Sequence, residues 1–488
     1  MSHPLSQRIG TVLDLDPSAP ALQYDGRWSS WGQLAQLARR IGALTGPVRV
    51  GIMLRNQPVH VAALLGVLEA GGTVVVINPS RGDDRTRADI AALGLPVIIG
   101  LADDIANLLT LPFTGTVITI SDLDTAPTEA LGTTVDDARR PGVAVWMLTS
   151  GTTGPPKRVD LTYDMLARSV MGRQPWQAPA ELRRGVAIVN SPLVHVGGVF
   201  RILLCISEAR PFVLLPKFDL QRWADAVREH QPRAVSLVPA ALRMVLHSEL
   251  TRDDLTGVRA VTSGTAPLSA DDADAFSAKF GIPVLTSYAA TEFGGGVAGW
   301  TLADHQQHWQ SKRGSVGRAN PGAQLRVVDE AGHVLGPDEE GLLEVIPAQM
   351  SSADWIRTTD LARIDADGFV WILGRADQAI IRGGFKVMPD DVRTALESHP
   401  AVRGAAVIGR ADERLGETPV AMVELHGQAT ADELSEYLAT RLARYEIPTD
   451  IAIVEMIPRT PSGKADLGAV REHFKAGTHS VAPLAPDV

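Results

Sequence analysis

This chain predicts an α/β fold, with a large N-terminal domain of α/β subdomains, a small β-rich subdomain and a small C-terminal α+β domain. Three observations carry that reading. Helical and strand-like patterns alternate along most of the chain, as buried, largely parallel sheets require. Residues 314–374 change texture, with short apolar runs cut by Gly, Pro and Asp, which suits tight-turned β structure. A further compact stretch of mixed pattern follows the polar break Gly374-Arg375-Ala376-Asp377. At 488 residues the chain exceeds one ordinary domain. The expected divisions are 1–374, a hinge at 375–377, 378–475 and a flexible tail at 476–488.

Each element has its own signal. Residues 31–44 set Leu34, Leu37, Ile41 and Leu44 at helical spacing. Residues 48–54 read as a strand and 59–70 as a helix. Residues 73–77 are β-branched and strand-like, ending at Asn78-Pro79. The most apolar stretch, 61–77, contains Glu69 and the pair Gly71-Gly72, so it reads as core helix, turn and strand, with no transmembrane segment. The run Val143-Ala144-Val145-Trp146-Met147-Leu148 reads as a buried strand. Residues 324–329, 341–346 and 368–373 supply the short strands of the β-rich part. No internal period signals a repeat array.

Composition narrows the function. Lys and Arg number 46 against 56 Asp and Glu, a formal net charge of −10. That excludes general attraction to nucleic acid or to an anionic membrane surface, so a nucleotide would need a local cationic site. Cys205 is the single cysteine, which rules out an intrachain disulfide and fits a reducing, cytoplasmic setting. Its apolar neighbours favour a buried structural thiol. The N-terminus lacks the cationic-then-apolar plan of a signal peptide. No Gly-x-Ser-x-Gly elbow or His-x-x-x-His helix supports a hydrolase or a zinc enzyme.

The most informative segment is Thr149-Ser150-Gly151-Thr152-Thr153-Gly154-Pro155-Pro156-Lys157. A strand ending in hydroxyls, glycines and a cation grips polyphosphate, because glycines let backbone N–H groups face the anion. It is not the common P-loop, since two prolines precede the Lys and resist a helix interior. The motif resembles the phosphate-binding loop of the adenylate-forming superfamily, the acyl-CoA synthetases and their relatives. Further matches follow in that family's order across nearly the whole chain.

The resemblance implies an acyl-CoA synthetase. ATP and a carboxylic acid give acyl-AMP and pyrophosphate, and CoA then displaces AMP, with Mg²⁺ as metal. It implies ATP/AMP contacts from Thr149, Ser150, Gly151, Thr152, Thr153, Gly154 and Lys157. Ser263, Gly264, Thr265, Ala266 and Pro267 would line the adenine pocket. In Tyr288-Ala289-Ala290-Thr291-Glu292, Tyr288 would stack near adenine, Thr291 touch the α-phosphate and Glu292 hold Mg²⁺. Ala289 stands where the family has Gly. Asp360 would accept the ribose hydroxyls, with Arg375 beside it; Thr359 replaces the usual Gly. Lys464, in Pro458-Arg459-Thr460-Pro461-Ser462-Gly463-Lys464, would bridge the attacking carboxylate and the α-phosphate. It lies beyond the hinge, so the resemblance implies a mobile C-terminal domain that closes for adenylation and rotates about Asp377 for thioester formation. Arg382, Gly383, Gly384 and Phe385 would then face CoA. Without the resemblance, Gly383-Gly384 reads as a hairpin turn.

The resemblance also sets His195, in Pro192-Leu193-Val194-His195-Val196-Gly197-Gly198, near the reacting carboxylate, with Val196, Gly197, Val199 and Phe200 at the acyl pocket. Taken alone, His195 reads equally as a satisfied core histidine. Gly294, Gly295 and the rest of the run to Trp300 either open space for a wide hydrophobic acid or form a flexible loop. Arg201 raises the option of a second carboxylate on the substrate. Two other functions stay open: a free-standing enzyme that loads a carrier protein, and a non-catalytic nucleotide binder. A homodimer is compatible with either enzyme.

Overall fold

The computed structural model describes residues 2–80, 82–110, 113–132, 140–148, 157–172, 176–382, 385–412, 414–460 and 463–476. Its largest sheet has seven strands, ordered Thr128–Ala130, Thr116–Ile120, Val97–Leu101, Arg49–Met53, Thr73–Ile77, Val143–Leu148 and Arg158–Thr162. The five central strands run parallel and the two edges pair antiparallel. Central strands made of Val and Ile bury both faces, so Val74, Val75 and Ile77 are fully enclosed. The helix Pro58–Glu69, apolar all round, fills the layer between this sheet and the helix Trp31–Thr45. Ser30 and Gln33 close a capping box that starts the latter helix.

A second sheet orders Ala234–Ser236, Ala260–Ser263 and Val284–Ala290 in parallel, then adds Gly295–Gly299 and Arg318–Ala319 antiparallel. A smaller sheet pairs Ala187–Val189, Phe212–Leu214, Pro20–Tyr24 and Arg27–Ser30. The β-rich segment forms an antiparallel meander from Gln324–Val328, Gly341–Ile346, Ile356–Ile364 and Val370–Arg375. The expected strand at 368–373 begins and ends two residues later, at Val370 and Arg375, because Gly368 turns the chain with φ +82°.

Beyond Arg375, a separate core forms around Ile380, Val392, Leu396, Ala421 and Leu434. Its sheet orders Phe385–Val387, Ile380–Arg382, Gly416–Leu425 and Val402–Asp412, with Ile451–Val454 parallel to Gly416–Leu425. The helices Pro389–Glu397 and Ala431–Ala439 cover it. Cys205 is buried in the N-terminal core as a free thiol. Among the described residues no helix is long and apolar enough to cross a membrane.

Candidate active site

A cleft of about 700 Å³ opens where the second sheet, the β-rich meander and the C-terminal part meet. Its floor is the carboxyl ends of the parallel strands, where open α/β sheets place ligands. Ser263, Thr265, Ala266 and Pro267 leave Ala260–Ser263 along one wall. Thr265 holds φ +73°, a strained state for a β-branched residue. Ser263 Oγ is buried with no hydrogen-bond partner among the described residues. Strain and an unmet hydroxyl together mark a segment held for a ligand. Gly264 stays off the cleft wall, against the Ser287 side chain.

The next strand delivers Tyr288, Ala289 and Ala290, and a short 3-10 turn, Thr291–Phe293, presents Thr291 and Glu292. The Tyr288 hydroxyl donates to the Asp360 carboxylate, which comes from the meander. Burial raises the Asp360 pKa, although the Tyr288 hydrogen bond and the Arg375 charge oppose it. Arg375 donates to Thr359 Oγ1 at 2.8 Å and pairs with both oxygens of Asp377, at 2.9 and 2.7 Å. Glu292 is exposed toward the cleft. No group of three His, Cys, Asp or Glu among the described residues could hold a metal by itself. A lone carboxylate fits Mg²⁺, which takes its other ligands from phosphate oxygens and water.

Lys464 enters from the opposite side. Thr460 N donates to Lys464 O at 2.7 Å and Gly463 N to Thr460 O at 2.8 Å, closing a turn beside the bridge Arg459 to Ala465. Gly463 takes φ +81° in that turn, which a side chain would resist. Burial lowers the Lys464 pKa, and the Arg375 cation lowers it further against the pull of Asp360 and Glu292. One ammonium is therefore held within electrostatic reach of three site residues contributed by two sheets.

His195 immediately precedes the helix Val196–Ser207, and its side chain makes no capping hydrogen bond there. Gly198 lets that helix tuck against the preceding loop, since a Cβ there would lie 2.1 Å from Pro192 O. The His195 Nε2 is buried and lacks a hydrogen-bond partner among the described residues. Burial, helped by the nearby Lys464 charge, holds its pKa down to about 4. Val196, Gly197 and Phe200 are partly exposed, and neither they nor His195 line the cleft.

Three expectations change. Val199 is fully enclosed in the helix core with Ile202 and Leu203, so it faces packing rather than open space. The glycine run is neither an empty pocket nor a free loop: Gly295–Gly299 is a strand paired on both sides. Met165 fills the space beside Gly294, and Gln349 and Ser169 fill that beside Gly295. The expected tail at 476–488 loses Ala476, which ends the helix Leu467–Ala476, and the rest of it lies outside the described residues.

Thr149, Ser150, Gly151, Thr152, Thr153 and Gly154 lie outside the described residues, as do Gly383 and Gly384. Lys157, at the end of the phosphate segment, lines the cleft. The strands on either side of that segment pair antiparallel, with Leu148 opposite Arg158. Arg140 and Arg158 sit over the Trp146 ring, at 4.5 and 5.2 Å, and brace the strand that leads in. Arg382 donates to the Tyr445 and Ile447 carbonyls at 2.8 and 3.2 Å. Phe385 stacks on Tyr445 with centroids 4.6 Å apart and stays exposed, off the cleft wall.

The cleft has more in it than motifs reveal. Arg243, on the helix Pro239–Leu246, and Asp390, Arg393 and Glu397, on Pro389–Glu397, line its outer end as a chain of ion pairs. The link between the two helices leaves no local trace in the sequence, because Arg243 and Glu397 are 154 residues apart.

Comparison with known proteins agrees with this geometry. The chain is 29% identical over 505 residues to an indoleacetate–CoA ligase of Aromatoleum aromaticum, covering 96% of this chain and 98% of that protein. It is 29% identical to 4-coumarate–CoA ligase 3 of Oryza sativa subsp. japonica, over 92% of this chain and 87% of the relative. The ATP-bound structure of MatB from Rhodopseudomonas palustris superposes with a TM-score of 0.79 at 25% identity, covering 97% of this chain and 99% of that one. The family described as AMP-binding enzyme matches residues 12–352, and its C-terminal domain matches 391–464. A cleft built between those two matched parts, with Lys464 reaching in from the second, places the chain in the AMP-binding enzyme family of the adenylate-forming superfamily.

Proposed function

We propose that this protein is an AMP-forming acyl-CoA ligase for a hydrophobic carboxylic acid. A carboxylate oxygen attacks the α-phosphorus of ATP and pyrophosphate leaves; the CoA thiol then attacks the acyl carbon and AMP leaves. The observation that carries the reading is Lys464, set by the C-terminal part within reach of Glu292, Asp360 and Arg375. The first step brings two anions together, so positioning and charge neutralisation dominate it.

In this reading Asp360, oriented by the Tyr288 hydroxyl, accepts the ribose hydroxyls. Ser263 through Pro267 border adenine, and Thr149 through Gly154 with Lys157 hold the phosphates. Thr291 reaches the α-phosphate, and Lys464 bridges it to the acid. Glu292 would hold Mg²⁺, which supplies neutralisation of phosphate charge. His195, neutral at physiological pH, orients the reacting carboxylate. The observed arrangement suits adenylation: Lys464 is in the cleft while Phe385 is displayed outside it. Rotation about Asp377 would exchange the two and bring Arg382, Gly383, Gly384 and Phe385 to CoA. The named relatives act on aromatic acids, indoleacetate and 4-coumarate, which favours an aryl-bearing acid over a plain fatty acid. The buried, single thiol fits a cytoplasmic setting.

The test is pyrophosphate release with MgATP across aryl, fatty and polycyclic acids, with and without CoA. Release followed by CoA-dependent thioester is expected. Release without thioester would favour loading of a carrier protein, and no release with any acid would sink the ligase reading.

A further inference from the structure

We propose that the acid this protein activates is a dicarboxylate whose distal carboxylate is held by Arg201. The inference rests on the ligase reading and narrows its substrate. Arg201 lies on the helix Val196–Ser207, six positions beyond His195, or about 9 Å further along the axis. Its Nη2 donates to Thr262 Oγ1 at 3.2 Å, a long contact to a neutral hydroxyl that itself donates to Val235 O. No carboxylate among the described residues pairs with it.

Other withdrawn guanidiniums in this chain are matched. Arg243 and Arg393 each hold two carboxylates, and Arg158 holds Asp89 at 2.6 Å. Arg8, which lacks a carboxylate, donates to two carbonyls at 2.8 and 2.5 Å. Arg201 has neither arrangement. Burial pulls its pKa down, opposed only by the Cys205 thiol one turn on. A guanidinium keeps its proton under such pressure, so the charge stays and requires a counter-anion.

Its place in the fold says where that anion comes from. Thr262 is the neighbour of Ser263, whose orphaned Oγ borders the nucleotide cleft. His195, whose Nε2 is also orphaned, stands at the other end of the same helix segment and senses Lys464. Two unmet polar atoms, Ser263 Oγ and His195 Nε2, thus accompany a guanidinium whose one described hydrogen bond is to the Thr262 hydroxyl. Val196 and Phe200, partly exposed, lie along the helix between His195 and Arg201. That pattern fits an acid with a reacting carboxylate at one end, an apolar middle and an anion at the other.

Matched pairs decide it: aliphatic and aryl diacids, each against its monomethyl ester, compared by kcat/KM for pyrophosphate release. The wild type is expected to prefer the diacid by roughly tenfold or more, the scale of a charge-assisted hydrogen-bond pair. Arg201→Met should collapse that ratio toward one, and Arg201→Lys should retain part of it. Half-esters used as well as diacids by the wild type would overturn the proposal, as would a diacid preference that survives Arg201→Met; both leave the ligase reading intact. Pyrophosphate from no pair would overturn the ligase reading and this inference together.

Discussion

Arg243 of the N-terminal part and Glu397 of the C-terminal part meet at 2.6 Å with side chains only 9% and 4% exposed. Arg243 also holds Asp272 at 2.7 Å, and Glu397 also takes Arg393 at 2.6 Å. Removing one member of such a pair strands the other, at a cost on the order of 3–5 kcal/mol. Here the two parts can escape that cost by separating, which returns both charges to water. Glu397→Gln is therefore expected to slow adenylation about tenfold or more while sparing thioester formation from supplied acyl-adenylate. Assaying the two half-reactions separately checks this, and equal losses in both would remove the pair from control of docking.

Lys464→Ala should cost adenylation on the order of 10²–10³-fold, the scale of removing one preorganised charge from a transition state. Thioester formation from acyl-adenylate should persist. The wild-type pH profile carries a second signature. Burial and Arg375 lower the Lys464 pKa, and the charged form is the active one. Adenylation should therefore fall as pH rises through that lowered value, earlier than an ordinary lysine near 10.4 would allow. A rate flat up to the ordinary lysine range would contradict the assigned role.

What was legible in the sequence, and what was not, follows from how far each signal reaches. Val143–Leu148, Thr73–Ile77 and Gly341–Ile346 were readable to the residue because apolar runs of five or six residues bounded by turn residues are too short for a buried helix and favour a strand. Lys464, Glu292 and Asp360 were readable through motif resemblance, and the fold brings them to one cleft. The glycine run after Phe293 misled because a missing side chain says nothing about which neighbour fills the space; Met165, Gln349 and Asn320 do. Val199 was placed by adjacency to His195, yet helical rotation turns it into the core. Ion pairs between distant elements, such as Arg243 with Glu397, leave no local trace.

Tyr288 and Asp360 give a smaller, sharper expectation. The phenol donates to the carboxylate and fixes its orientation. Tyr288→Phe removes one hydrogen bond to a charged group, worth about 1.5–3 kcal/mol at most where water cannot replace it. The KM for ATP should rise several-fold, with a smaller change in the KM for the acid. Isothermal titration with ATP in the absence of acid would test the same point. Unaltered ATP binding would show that Asp360 needs no help from Tyr288.

His247, just past the helix Pro239–Leu246, stacks on His426 of the C-terminal part with ring centroids 4.5 Å apart. Burial lowers the His247 pKa, and His426, Arg403 and Arg243 add to that against the single opposing charge of Asp272. A lowered histidine pKa means that the docked state disfavours the proton. Docking therefore keeps its full strength above the ordinary value near 6.5 and loses it as pH falls through the depressed one. Release of the C-terminal part returns the imidazole to water, so acid should favour the undocked arrangement. Two labels, one on each part, should report a falling docked fraction below about pH 6.5 by energy transfer. His247→Gln keeps a planar polar group without the titration, and should flatten that acid limb. An identical limb in wild type and variant would assign the acid response to another group.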